Sequence, residues 1–423
     1  MSRHLYNWFL RLLLPYGLLR LMWRGLRNPD YWHRIPERFG FIDTLPPPRV
    51  IWIHAVSVGE VRAAAPLVHE LTARYPEYPL LITTMTPTGS AQVRELFGGS
   101  VAHCYVPYDY PGAVKRFLDR TQPAMAIVME TELWPNIFHL CRARAIPVFV
   151  TNVRMSESSM RKYQRFANLA RATLRQVSRF AAQSSADAQR LLTLGATPES
   201  VEVTGSIKFE INMGASMREA AEVLRLGWGQ DRPVWLAAST HEGEEEMVLA
   251  ALAELKKQAR FADMLLVLVP RHPERFAAVA RLCKKQHRIA LRSETPGMLD
   301  PSVEILVGDT MGELQLFFGA ADVAFIGGSL VPTGGHNLLE ASAVGKPVVF
   351  GPHMFNFQEI SQMTLERGAG VQIQSPDQLA MAVSDFLGNA NRRDSAGLAG
   401  RKMVEENRGA LTANMRLIEK ILK

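Results

Sequence analysis

The feature that most limits what this chain can become is an alternation, from residue 50 onward, of short β-branched apolar runs with longer helical stretches. In the first half the runs are VIWIHAV (50–56), LLITTM (80–85), AHCYVPY (102–108), AMAIVME (124–130), PVFVTNV (147–153), FAAQS (180–184) and VEVTGS (201–206). In the second they are PVWLAAS (233–239), MLLVLVP (264–270), VEILVG (303–308), VAFIGG (323–328), PVVFG (347–351) and VQIQ (371–374). Runs apolar on both faces and spaced by helices predict parallel strands covered by helices on either side. At 423 residues the chain exceeds what one hydrophobic core usually supports. The prediction is therefore an α/β chain of two Rossmann-like parallel-sheet domains. Residues 28–210 form the first and 232–402 the second. Residues 211–231 have no strand and several glycines, so they are expected as the linker, and the last helix, 403–423, is expected to pack back on the first domain. Ligands of open parallel sheets sit beyond the carboxyl ends of the strands, which places the expected site in a cleft between two facing sheets.

Charge narrows the partners. Residues 1–210 carry 25 Lys and Arg against 16 Asp and Glu, a balance of +9; the remainder carries 23 against 25, a balance of −2. The excess lies wholly in the first half and points to a polyanion there. No nucleic-acid motif or aromatic-rich basic groove accompanies it, so an anionic membrane or a phosphorylated substrate is expected and nucleic acid is not. The basic segment Arg154, Arg161, Lys162, Arg165, Arg171, Arg175 and Arg179, with only Glu157 against it, is either a docking face for phosphates or a solvated helix face. Three scattered cysteines, Cys104, Cys141 and Cys283, indicate neither a disulfide framework nor a zinc site.

Leu5 to Met22 is apolar but interrupted by Arg11, Pro15 and Arg20. It lacks the clean run of about 20 apolar residues of a spanning helix and the small-residue cleavage site of a secretory signal. Trp and Tyr along it, and Arg20, Arg24 and Arg27 on one helical face, fit residues 1–27 as a helix that anchors at the inner leaflet, leaving the body in the cytoplasm. The alternative is an amphipathic helix buried against the protein's own core.

Polar residues directly after the strands are the candidates for chemistry. Glu60 follows the first strand in HAVSVGE, near the start of a helix beginning around Val61; a catalytic carboxylate and a first-turn Glu favoured by the helix dipole both fit. Glu130 and Glu132 follow the fourth strand ahead of a Trp-Pro helix start; one could cap that helix, but both seldom need to, and Glu130 directly ends the apolar run. Lys208 ends the last strand region of the first half, placed either to hold negative charge or simply solvated. In the second half Arg271 follows a buried strand and suits a bidentate grip on phosphate, while His272 is as readily a packing residue as a ligand. The segment from Gly308 to Glu313 opens a helix, and the Gly-rich stretch from Gly327 to Gly335 runs into a helix expected near Asn337, with Glu340 one turn in and suited to ribose hydroxyls. The absence of a Walker lysine pattern and of a dinucleotide fingerprint speaks against kinases and dehydrogenases. No His/Asp/Cys cluster at ligand spacing and no Asp-x-Asp pair at a strand end occurs, so neither metal nor cofactor is expected.

These motifs, in this order, resemble the 3-deoxy-D-manno-octulosonic acid (Kdo) transferases of lipid A biosynthesis. The resemblance runs through HAVSVGE (54–60), TTMTPTGS (83–90), VPYD (106–109), METELWPN (129–136), TGSIKFE (204–210), STHEGEE (239–245), VPRHPER (269–275), GDTMGEL (308–314), GGSL (327–330), GGHNLLE (334–340) and GPHMFNF (351–357). It implies a GT-B enzyme, inverting and metal-independent, with CMP-Kdo as donor and a tetraacylated, bisphosphorylated lipid A precursor (lipid IVA) as acceptor at the anionic inner membrane. By that resemblance Glu60 is the general base toward the acceptor's 6′-hydroxyl, and Glu130 and Lys208 are transition-state stabilisers. Pro270 and Arg271, Met311, Gly312 and Glu313, and Asn337, Leu338, Leu339 and Glu340 are the CMP contacts. Two rivals are a GT-B transferase using a UDP-sugar and a catalytically idle nucleotide-binding membrane scaffold.

Overall fold

A computed structural model describes residues 1–44, 49–211 and 213–423. The chain divides into two compact units, Met1–Glu210 with Arg408–Lys423, and Ile211–Asn407.

The first unit is built on β1 (Ile51–His54), β2 (Leu80–Thr84), β3 (Ala102–Tyr105), β4 (Met125–Met129), β5 (Val148–Val153), β6 (Arg179–Ala182) and β7 (Val201–Val203), in the sheet order β3-β2-β1-β4-β5-β6-β7. All neighbours are parallel. The central strands are buried along their whole length, as a sheet covered on both faces requires. One face packs Trp52, Phe117, Phe138 and Phe180 into its core. The other packs Leu67, Leu71 and Phe149 against Met415, Leu417 and Ile418 of the C-terminal helix Ala410–Leu422. That helix is keyed to the sheet by a hydrogen bond from Thr151 Oγ1 to Asn414 Oδ1.

The N-terminal segment is one 25-residue helix, Arg3–Arg27. Polar groups on one side tie it to the first unit. Tyr6 donates to Asp109 (3.0 Å), Asn136 donates to Asn7 Oδ1 (2.7 Å), and Tyr110 donates to the Leu10 carbonyl (2.6 Å). The other side leaves Leu5, Trp8, Phe9, Leu12, Tyr16, Leu19, Trp23 and Leu26 exposed. The alternative for this segment, burial against the protein's own core, holds for Leu21 but not for these exposed residues. Among the described residues no helix is long and apolar enough to cross a membrane. Arg20 and Arg24 are exposed; the side chain of Arg27 lies outside the described set.

The second unit carries β8 (Val234–Thr240), β9 (Leu265–Pro270), β10 (Ile289–Leu291), β11 (Ile305–Val307), β12 (Val323–Ile326), β13 (Val348–Phe350) and β14 (Gly370–Gln372), ordered β10-β11-β9-β8-β12-β13-β14 and again parallel. The strand β10 is absent from the sequence-based expectation. The stretch expected as a linker is also more than that. Residues Ala215–Trp228 form a helix with Ala221, Leu224 and Trp228 buried in the second unit, and the Trp228 ring lies 6.2 Å from Phe317; Asn212 lies outside the described residues.

Strand order reverses between β1 and β4 in the first sheet and between β8 and β12 in the second. These are the points where a doubly wound sheet leaves a crevice at its carboxyl edge.

Candidate functional site

In the first unit the reversal point gathers Glu60, Glu130, Glu132 and Lys208. The helix after β1 spans Val58–Arg74, starting three residues earlier than expected, because Ser57 caps it: its Oγ accepts from the Glu60 N–H. Glu60 turns back in the first turn, where its carboxylate accepts from the Val56 N–H (2.7 Å) and the Ser57 hydroxyl (3.3 Å). The capping role and the buried carboxylate are one and the same residue. Two hydrogen bonds do not offset its surroundings: burial first, then the negative charges of Glu130 and Glu132, push its pKa from 4.5 to about 8. A carboxyl group poised there releases its proton near neutral pH and accepts one readily once ionised.

Glu130 follows β4 with φ +55°, a left-handed conformation that costs a non-glycine residue about 1 kcal/mol or more. The turn lifts its side chain to Lys208, with Nζ 3.3 Å from Oε1 and both side chains 28% exposed. Lys208 sits in a short 3₁₀ turn, Ile207–Phe209, fixed from below by Asn152, whose Oδ1 accepts from Ser206 Oγ and the Ile207 N–H, each at 3.2 Å. Asn152 itself is buried with φ +55°. Neither Glu130 nor Glu132 caps the helix Pro135–Ala143. That task falls to Asp109, whose two oxygens accept from Asn136 N–H (3.0 Å) and Ile137 N–H (2.8 Å). Burial raises the Asp109 pKa to about 7. Glu132 instead accepts from Trp134 Nε1 (2.7 Å), and burial raises its pKa, with Glu130 adding to the effect. Behind them His54 is fully buried and held neutral by desolvation, with a pKa lowered to about 3. Asp109 and Asn152 are not legible as supports from sequence alone, since each acts on a partner distant in the chain.

In the second unit the reversal point is shaped by a carboxylate within the STHEGEE segment. Glu244 is fully buried and accepts from four backbone N–H groups: His241 (2.9 Å), Gly328 (2.6 Å), Ser329 (3.0 Å) and Leu330 (2.9 Å). It pins the Gly-rich stretch after β12 to the end of β8. Gly328, at φ +67°, has no room for a side chain: a Cβ would stand 2.7 Å from Thr333 Oγ1. Next to it Glu245 is held by Arg275 through contacts of 2.5 and 3.0 Å and by Thr240 Oγ1 at 2.8 Å.

Pro270 ends β9, and the Arg271 N–H donates to the Thr240 carbonyl (2.9 Å), which sets Arg271 at the same edge. Its guanidinium is half-buried, and among the described residues it makes no side-chain hydrogen bond or ion pair, unlike Arg275. His272 is exposed with its ring 5.3 Å from His241.

The remaining expected contacts are modified by the geometry. The Glu313 carboxylate is taken by Arg292 (2.6 and 3.0 Å) and by Thr310, which hold its pKa below the usual range; only its backbone, with those of exposed Met311 and of Gly312, is available to a ligand. The helix after it is the short Leu314–Ala320. The helix expected near Asn337 starts at Leu339 and lasts five residues. Asn337 instead forms a turn, its Oδ1 accepting from the Leu339 N–H (3.1 Å) and its amide donating to Glu340 (3.1 Å). Leu338 and Leu339 have wholly buried side chains, so they too can meet a ligand only through backbone. Among the described residues no group of three or more His, Cys, Asp and Glu side chains is placed to hold a metal ion.

Against known proteins, residues 33–211 match the family model described as 3-deoxy-D-manno-octulosonic-acid transferase (kdotransferase). The 3-deoxy-D-manno-octulosonic acid transferase of Haemophilus influenzae is 42% identical over 100% of this chain and 99% of its own. That of Bordetella pertussis is 36% identical over 99% of each. Among solved structures, the UDP-GlcNAc 2-epimerase of Neisseria meningitidis covers 89% of this chain and 100% of its own with a TM-score of 0.54 at 15% identity, a likeness of fold alone. Whole-length identity of this degree leaves no room for an unrelated chemistry on a shared fold: the chain belongs to the 3-deoxy-D-manno-octulosonic acid transferase family of glycosyltransferases.

Proposed function

We propose that this protein transfers Kdo from CMP-Kdo to the 6′-hydroxyl of the lipid A precursor lipid IVA, with inversion at the anomeric carbon and without a metal. The observation that carries the reading is the Glu60 carboxyl, buried beside two further carboxylates and raised to about 8. Such a group removes the acceptor hydroxyl's proton as that oxygen attacks the anomeric carbon. The transition state there is oxocarbenium-like, so the Glu130 carboxylate stabilises positive charge on the ring while Lys208, 3.3 Å from it, holds that carboxylate in place. On the donor side Arg271 is the cation left available for the cytidylate phosphate, and the backbone of Met311 to Glu313 and of Asn337 to Glu340 lines the nucleotide. The leaving cytidine monophosphate is already a stable anion, which is why no Lewis acid is required of the protein.

The N-terminal helix supports a reading of location. A continuous apolar face from Leu5 to Leu26, exposed on a helix that also carries Arg20 and Arg24, is what an interfacial anchor presents to an anionic leaflet. We place the catalytic body on the cytoplasmic side of the inner membrane. The exposed cations Lys162, Arg165, Arg171 and Arg175 add a second electrostatic contact; Arg161 is partly offset by Glu157 at 2.9 Å, and Arg179 is occupied by the carbonyls of Ser178 and Glu199.

Incubating the purified protein with CMP-Kdo and lipid IVA and weighing the products by mass spectrometry tests the reaction. One or more Kdo increments on the lipid, with CMP released, are expected; CMP-Kdo left intact, or UDP-sugar used in its place, contradicts it. For the membrane, Leu12→Glu and Leu19→Glu together should abolish co-sedimentation with anionic vesicles while leaving the melting temperature unchanged. Undiminished sedimentation assigns binding to the basic face instead.

A further inference from the structure

The end of β8 and the Gly-rich stretch after β12 bring together two histidines to which family resemblance assigns no role. His241 Nε2 and His336 Nε2 stand 2.8 Å apart, their rings inclined by only 9° with centroids 5.1 Å apart. Two bare imidazole nitrogens at that distance would repel through their lone pairs, and two N–H groups would collide. One ring therefore donates and the other accepts, and the neutral pair holds one proton on the line between them. A further proton makes the pair a single cation shared by two rings.

Its setting decides when that proton arrives. Arg271, Arg275 and His272 act on His241 from the β9 end, and Glu245, already engaged by Arg275 and Thr240, opposes them. Glu244 is occupied by four backbone N–H groups. On the other side Gly328 lies against both rings, a Cβ there standing 3.2 Å from His336 Cδ2 and 3.3 Å from His241 Cδ2, and His353 and Glu340 lie on the segments that adjoin His336. Burial, then His272 and Arg271, hold His241 below its ordinary pKa. That disfavours the charged form at His241 while no anion is bound. An anion placed between it and Arg271 reverses the balance and draws a proton in.

We propose that the His241–His336 pair is a proton-gated clamp for the phosphate of the donor nucleotide, becoming cationic as the phosphate binds. This rests on the CMP-sugar reading given above. During transfer the bond between the anomeric carbon and the phosphate oxygen breaks, and its electron pair stays on that oxygen, so the phosphate passes from a singly charged diester to a dianionic monoester. The cation gained on binding is then in place to stabilise the charge that develops, with no proton transferred to the phosphate.

Calorimetric titration of the full-length protein with CMP at pH 7.5, in two buffers of different ionisation enthalpy, reads proton uptake directly. CMP is by then a dianion, its second pKa being about 6, so it supplies none of the protons counted. Wild type should take up about one proton per CMP, and its affinity should weaken about tenfold per pH unit above neutrality. His241→Gln and His336→Gln, with melting temperatures checked, should bind CMP roughly tenfold more weakly, with uptake near zero and a flat pH dependence. Binding by wild type without uptake, or unchanged uptake in either variant, overturns the clamp. Cytidine, lacking phosphate, should cause no uptake, and uptake with it overturns the phosphate assignment. So does uptake with free Kdo but not with CMP, which would hand the pair to the sugar's carboxylate. Failure of CMP to bind at all overturns the donor reading itself, a result distinct from binding without uptake.

Discussion

Both units place carboxylates at the reversal point of a parallel sheet, yet they treat them oppositely. In the first, Glu60, Glu130 and Glu132 crowd one another. Glu60 has two hydrogen-bond donors but remains dominated by burial and like charge, and Glu130 leans on a single lysine in a strained backbone conformation. In the second, Glu244 accepts from four N–H groups, Glu245 is clasped by Arg275, and Glu313 by Arg292. Position in the fold therefore does not decide what an acidic residue does. Its partners do: burial raises the pKa of Glu244 as it does that of Glu60, but four N–H groups hold Glu244 as a fastener, whereas Glu60 stands beside two further carboxylates that add to its rise.

That contrast can be broken by substitution. Glu60→Gln should lower transfer by about 10²–10⁴-fold, the usual worth of general-base catalysis, while CMP affinity stays unchanged. Near-normal turnover would move the base elsewhere. Glu244→Ala should act the other way. Leaving four buried N–H groups without an acceptor should cost about 3 kcal/mol or more in a denaturant melt and abolish CMP binding through collapse of the Gly-rich loop. A stable variant that binds CMP would make Glu244 dispensable. Arg271→Gln removes one cation without disturbing a fastener, so CMP should bind about 10–100-fold more weakly with an unchanged melt.

The smallest effect is the most specific. Because the folded pKa of Glu60 lies above its unfolded value, its contribution to stability is fully present below about pH 4.5 and is lost as pH rises through about 8. Glu60→Gln should therefore melt several degrees above wild type at pH 9, with the gap closing toward pH 5. A gap independent of pH would show that the carboxyl does not titrate where its surroundings place it.

The sequence pattern makes much of this legible for definite reasons. Strands buried on both faces announce themselves as unbroken β-branched runs, and a residue directly after such a run must lie at the carboxyl edge, which is how Glu60, Glu130, Lys208 and Arg271 stand out. The strand β10 stays hidden because it has only three half-buried residues at the sheet's edge, between Lys284–Arg288 and Arg292. The helix Ala215–Trp228 is masked by the glycines around it, although its apolar residues at 221, 224 and 228 follow a helical period. The fasteners are least visible. Glu244 serves N–H groups more than 80 positions away, Asp109 caps a helix 27 positions on, and Asn152 holds a turn 54 positions later. A motif string shows that such residues are present but not what they hold.

Whether Glu60 titrates as a base is measured most directly by the pH dependence of kcat/KM for lipid IVA, with CMP-Kdo kept saturating at every pH so that donor affinity does not enter. It should climb about tenfold per pH unit from pH 6 and level off near 8, and in Glu60→Gln the climb should vanish along with most of the rate. A profile already flat between pH 6 and 9 in the wild type would contradict it.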